Sequence, residues 1–117
     1  MRKIEQEMIS AIVQKKDWRK DNTSVSIGHN PSDIDKKDGL CIIVTLHGNF
    51  IAELKYQEEY GWTMWLTNSG WATRTTHSRL NAIIKEITGL SDRFTSKDSS
   101  NRVFSKLGYG SSWKKVS

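Results

Sequence analysis

Between residues 3 and 16, Ile4, Met8, Ala11 and Ile12 recur at helical spacing with Ile9 and Val13 beside them, which predicts an amphipathic first helix. After the polar stretch 17–22, in which Trp18 is embedded, Thr23, Val25 and Ile27 alternate with small polar residues as in an edge strand. Residues 28–39 hold Pro31 and three aspartates with almost nothing apolar, and predict a long mobile surface loop. Leu40, Ile42, Val44 and Leu46 then alternate through one strand, and Phe50, Ala52, Leu54 and Tyr56 through the next. A three-residue connection, His47-Gly48-Asn49, pairs Leu46 with Phe50, Val44 with Ala52 and Ile42 with Leu54 and keeps the apolar set on one face. A two-residue Gly48-Asn49 turn would pair Leu46 with Ile51 and mix the faces. Trp62, Met64 and Leu66 add a further strand to that face.

Residues 68–73 read as a loop, and Thr75 or Thr76 caps a second helix. There Leu80, Ile83, Ile84 and Ile87 fall at i, i+3, i+4 and i+7, and Gly89 stands at the C-cap. The chain then turns polar and serine-rich, and closes with two short strands over 102–107 and 112–116 around Gly108-Tyr109-Gly110. The pattern predicts an α+β two-layer sandwich: two helices on one face of an antiparallel sheet of about four strands, with a C-terminal hairpin. The other sheet face would carry Cys41, Ile43, Thr45, Ile51, Thr63 and Trp65. That set is too apolar to stay bare, so either the C-terminal segment or a partner covers it.

At 117 residues the chain has the length of a single domain with a small core. No apolar run approaches the ~20 residues of a membrane span, and the N-terminal residues, with Glu5 and Glu7, lack the pattern of a secretory signal, so the expected setting is cytoplasmic. Charge is informative by position. Residues 1–60 carry nine Lys/Arg against ten Asp/Glu, whereas residues 61–117 carry nine against three. In the segment 90–117, Arg93, Lys97, Arg102, Lys106, Lys114 and Lys115 are interleaved with Phe94, Val103, Phe104, Leu107, Tyr109 and Trp113. A purely solvated tail needs no such aromatics, and the asymmetry points to a polyanionic partner: nucleic acid first, an acidic protein surface second.

Catalytic and metal chemistry find little support. Asp33, Asp35 and Asp38 precede Gly39, but their spacing departs from a calcium loop, no glutamate closes it, and Lys36 and Lys37 stand among the carboxylates. Cys41 is the sole cysteine, which excludes intramolecular disulfides and multi-thiolate zinc sites. It lies six residues from His47, roughly 20 Å along a strand. No hydrolase triad or phosphate-binding loop is present. These readings predict a protein that is not an enzyme and needs no cofactor or metal.

The segment from Gly70 to Arg79 differs in kind. Thr73, Arg74, Thr75, Thr76, His77 and Arg79, with Trp71 beside them, gather hydroxyls, two guanidiniums and an indole at a helix mouth whose free N–H groups favour an anion. Basic residues at a helix start oppose its dipole by ~0.3 to 1 kcal/mol each, a cost that a bound phosphate would offset. The competing reading is ordinary capping with the arginines in solvent. Trp65 on the second sheet face and Trp71 can stack unpaired bases, or can pack under the C-terminal segment.

Leu46-His47-Gly48-Asn49 followed by Ile51-Ala52, together with Gly70-Trp71-x-Thr73-x-Thr75-Thr76-x-Ser78-Arg79-Leu80-Asn81-Ala82, resembles a pattern in small, largely uncharacterised proteins of tailed bacteriophages. The resemblance spans about residues 40–85 and implies a viral setting inside a bacterial cell. The order helix, strands, helix is also similar to that of double-stranded RNA-binding domains, with Arg74 and Arg79 where those open their second helix on lysines. The sequence therefore predicts a small non-enzymatic nucleic-acid-binding protein, phosphate-dominated and of limited sequence preference. The alternative is a protein-binding inhibitor of a host enzyme or defence factor.

Overall fold

In a computed structural model the described residues are 2–29, 39–57, 61–70, 73–94, 101–106 and 112–116. Helix α1 (Lys3–Gln14) leads into strands β1 (Trp18–Lys20), β2 (Thr23–His29), β3 (Leu40–Leu46), β4 (Asn49–Gln57) and β5 (Gly61–Leu66). Helix α2 (Arg74–Ile83) continues as a wider π-type turn, Ile84–Thr88, before β6 (Arg102–Lys106) and β7 (Lys114–Lys115). All seven strands form one antiparallel sheet in sequence order, so each strand bonds only to its chain neighbours. This corrects the expected sheet of about four strands. Two causes account for the difference. Trp18–Lys20 is only three residues long, one apolar residue followed by two cations, so it shows no alternation, yet it zips onto β2 through a two-residue turn. The C-terminal strands extend the sheet beyond β5 and do not fold over its second face.

One face of the sheet holds the core. Val25, Ile42, Val44, Ala52, Leu54, Met64, Leu66 and Phe104 are aligned across the ladder and meet Met8, Ala11 and Ile12 of α1 and Leu80, Ile83 and Ile84 of the second helix. Two further loop expectations change. Gly28 and His29 belong to β2, while residues 30–38 of the expected mobile loop lie outside the described residues. The α2 cap is Thr73, neither Thr75 nor Thr76: its hydroxyl accepts the Thr76 N–H at 3.1 Å. At the other end Gly89, with a φ of 72°, takes the left-handed C-cap conformation.

The β3–β4 hairpin departs from the expected three-residue loop. Leu46 pairs with Asn49, so the turn is His47-Gly48, and both residues have positive φ, 54° and 77°, as the hairpin turn that matches strand twist requires. Thr45 then faces Phe50 while Val44 faces Ala52, which leaves Ile51 as an extra, bulged residue. Ile51 and Ala52 are consequently both buried in succession, and Phe50 swings to the opposite face.

Ile83 and Ile84 are fully buried. Replacing either with Ala should cost ~2 to 5 kcal/mol in chemical denaturation, through reduced burial and the cavity left behind.

Candidate nucleic-acid interface

The mouth of α2 is occupied largely by its own structure. Thr73 and Thr76 share a hydroxyl–hydroxyl bond of 2.8 Å, and Thr76 is buried. His77 is buried too, its ring stacked on Phe94 at 6.1 Å between centroids. Arg79 runs inward: its Nη1 donates to Glu5 Oε2 at 2.7 Å and its Nε to Thr23 Oγ1 at 3.3 Å, while Ser78 Oγ donates to the same carboxylate oxygen at 2.6 Å. The side chains of Arg79 and Glu5 are 5% and 4% exposed, which removes Arg79 from any phosphate site. Thr73 and Arg74 are exposed there, with Thr75 half-buried beside them. Trp71 lies outside the described residues.

The remaining sequence-predicted cations scatter over several surfaces. Arg102 is buried because its strand position faces the helices. Its guanidinium carbon lies 4.7 Å from the Phe94 ring centroid, and its Nε donates to Asp92 at 3.2 Å. Lys115 reaches the same Asp92 at 3.6 Å. Arg93 is exposed on the segment after α2, beside a cleft of about 510 Å3 on the helical side. Lys106 is half-buried opposite Trp62, and Lys97 lies outside the described residues. The two segments that carry the phage resemblance do meet: His47 and Asn49 form one wall of a cleft of about 220 Å3, and Thr73 and Thr75 form the other.

The face of the sheet opposite the helices gathers residues from all seven strands. The cross-strand register places Gly28, Cys41, Lys55, Thr63, Ser105 and Lys114 in one row, and Ser26, Ile43, Glu53, Trp65 and Val103 in the next. Arg19, Ser24, Thr45 and Phe50 form a third. In the middle, Phe50 and Trp65 lie in contact, ring centroids 5.3 Å apart and tilted by 44°, and Trp65 is 38% exposed. Lys55 pairs with Glu53 at 3.2 Å, so the central carboxylate is neutralised within the face. Ser24 and Thr45 are hydroxyl-bonded to one another. Burial, reinforced by Glu53 and opposed by Lys55, pushes the Cys41 thiol above its ordinary value, so it remains protonated at neutral pH. Of this surface the sequence pattern places Cys41, Ile43, Thr45, Thr63 and Trp65 correctly and marks Lys114 among the basic residues, whereas Ile51, expected on this face, is buried in the core. Phe50 was missed because uninterrupted alternation would place it with Ala52 and Leu54, and Arg19 because its strand is too short to show a period.

The Glu5–Arg79 pair generates its own test. Glu5→Gln or Arg79→Met should each destabilise by ~3 to 5 kcal/mol, since one charge is left buried alone, while the double change Glu5→Leu, Arg79→Met should recover much of that loss in the same denaturation series.

No curated protein and no solved structure matches the chain. Among the described residues, no helix is long and apolar enough to cross a membrane. The family model described as Kyanoviridae Gp96 protein matches residues 1–111, nearly the whole length, and the chain therefore belongs to this family of phage proteins.

Proposed function

We propose that the protein binds single-stranded nucleic acid across the helix-free face of its sheet, within the infected bacterial cell. The carrying observation is the Phe50–Trp65 pair, an aromatic platform set among hydroxyls and flanked by Arg19, Lys55 and Lys114. Every base offers a π-face, so stacking of this kind tolerates sequence, and cations at the margins of the face meet the backbone phosphates. Self-association through the same face is disfavoured by charge, because two copies would bring cations against cations around an already neutralised Glu53. The phosphate contribution moves from the α2 mouth, where Arg79 is committed to Glu5, to the rim of the sheet.

The role is binding without catalysis. Cys41 keeps its proton, the His47 ring nitrogen lies 3.1 Å from the Asn22 amide, and His77 is packed on Phe94, so none of the three stands as a free nucleophile or base on the platform.

Fluorescence anisotropy with labelled oligothymidylate and oligouridylate tests the reading. Trp65→Ala should weaken binding about tenfold, because stacking contributes ~1 to 3 kcal/mol per base. Changing Arg19, Lys55 and Lys114 to Ala should flatten the dependence of log affinity on log salt by roughly 0.7 for each phosphate that is no longer neutralised. Binding indifferent to Trp65→Ala, or absent at low salt, overturns the proposal.

A further inference from the structure

The opposite side of the sheet bears both helices. There an apolar cleft of about 250 Å3 opens between the end of α1, the π-type turn and the strands. Ile42, Leu54 and Trp62 form its floor, and Ile87 and Trp113 its walls. Its lip is unusual. Val13 stands there 59% exposed, on the last turn of an otherwise amphipathic helix. Lys15 follows in the left-handed conformation, φ 54°, a position where glycine is the relaxed choice. From it the ammonium sits 5.7 Å from the centroid of the Trp62 ring. Lys106 completes the rim with Glu86, and among the described residues neither lysine has a carboxylate partner.

The size of the cleft suits one side chain better than a free ligand, since small-molecule sites run from ~300 Å3 upwards. A buried apolar anchor ringed by polar contacts is the arrangement through which protein interfaces concentrate their affinity. Two ammoniums that lack a carboxylate partner among the described residues, set against one carboxylate at the rim, give the sign of the partner. The wall residue Ile87 is delivered by a π-type turn, a helix defect that recurs at functional sites.

We propose that this cleft anchors one bulky apolar side chain of an acidic protein segment, whose carboxylates pair with Lys15 and Lys106. The site lies across the sheet from the aromatic platform and does not depend on nucleic-acid binding there. One chain can thus hold both partners at once.

Selection of a random displayed peptide library on the full chain, with the Val13→Glu chain as counter-selection, tests the inference. Enriched peptides should place a single aromatic or leucine among aspartates and glutamates. A synthetic copy of the most enriched peptide should bind Val13→Glu, and separately the Lys15→Glu, Lys106→Glu chain, at least tenfold more weakly than the unaltered protein. Oligothymidylate affinity of the Val13→Glu chain should stay unchanged. Thermal melting confirms folding, and Val13 is exposed enough to accept the charge. If one altered chain fails to fold, the other carries the comparison. No enrichment, peptides without acidic bias, or an affinity for either folded altered chain equal to that for the unaltered protein overturns the proposal.

Discussion

The extra residue at Ile51 governs what each side of this sheet can be. In a pleated strand a single inserted residue exchanges the two faces for everything on one side of it. Here the strand enters the sheet at Asn49 with Phe50 on the bare face. It passes Ile51 into the core and continues with Ala52 and Leu54 packed beneath the helices. Without the bulge the His47-Gly48 turn would set Val44 against Ile51, Glu53 would turn inward and Leu54 would turn out to solvent. With it, a tight two-residue turn and a continuous core coexist, and Phe50 is set beside Trp65. The aromatic platform is thus a by-product of reconciling turn geometry with core packing.

A second constraint binds the helical layer. Glu5 and Arg79 lie 74 residues apart and are both buried, and their shared hydrogen bonds with Ser78 and Thr23 tie α1, α2 and β2 at one point. Burying charge is costly, and a pair retained inside contributes definition of geometry more than net stability. The same economy recurs at Phe94. Asn81 holds its backbone by both N–H and C=O, His77 stacks on its ring, and Arg102 lies within cation–π distance of it. Arg102 and Lys115, which read as part of a basic surface in the linear chain, fasten the C-terminal segment to Asp92 and Phe94.

What was legible in the sequence is what local periodicity encodes. The stripe Leu80, Ile83, Ile84 and the alternation through Leu40 to Leu46 state which side is buried, because burial repeats with the geometry of the element itself. What was not legible depends on partners distant along the chain. Arg79 looks like a solvent-facing cation until Glu5 is folded against it. Arg102 does so until β6 is seen to present it to Phe94. The bulge is hidden because Phe50, Ala52 and Leu54 alternate without interruption, and nothing in that run marks which residue is surplus. Strand β1 escapes notice because Trp18, Arg19 and Lys20 are too few to show a period, although the turn at Asp21, with φ 54°, returns them onto β2.

The sheet therefore separates two chemistries. Two helices of 12 and 10 residues are both drawn to one face by a shared core and a shared ion pair, which leaves none among the described residues for the other. Seven strands could not leave a uniformly apolar face in water, and the bare side is accordingly built from serines and threonines around a few large groups. Hydroxyls keep such a face soluble without rigidly committing it. In that setting an exposed indole against a phenylalanine ring is a local concentration of unsatisfied apolar surface, flat and edged by cations, whose natural complement is a flat, negatively tethered partner. The complementary logic on the helical side is concave, one anchor deep and rimmed by ammoniums, and calls for a protruding apolar group among carboxylates. Both readings descend from the same fact of packing: both helices pack on one face of the sheet, so one side presents a plane and the other a gap beside the helix ends.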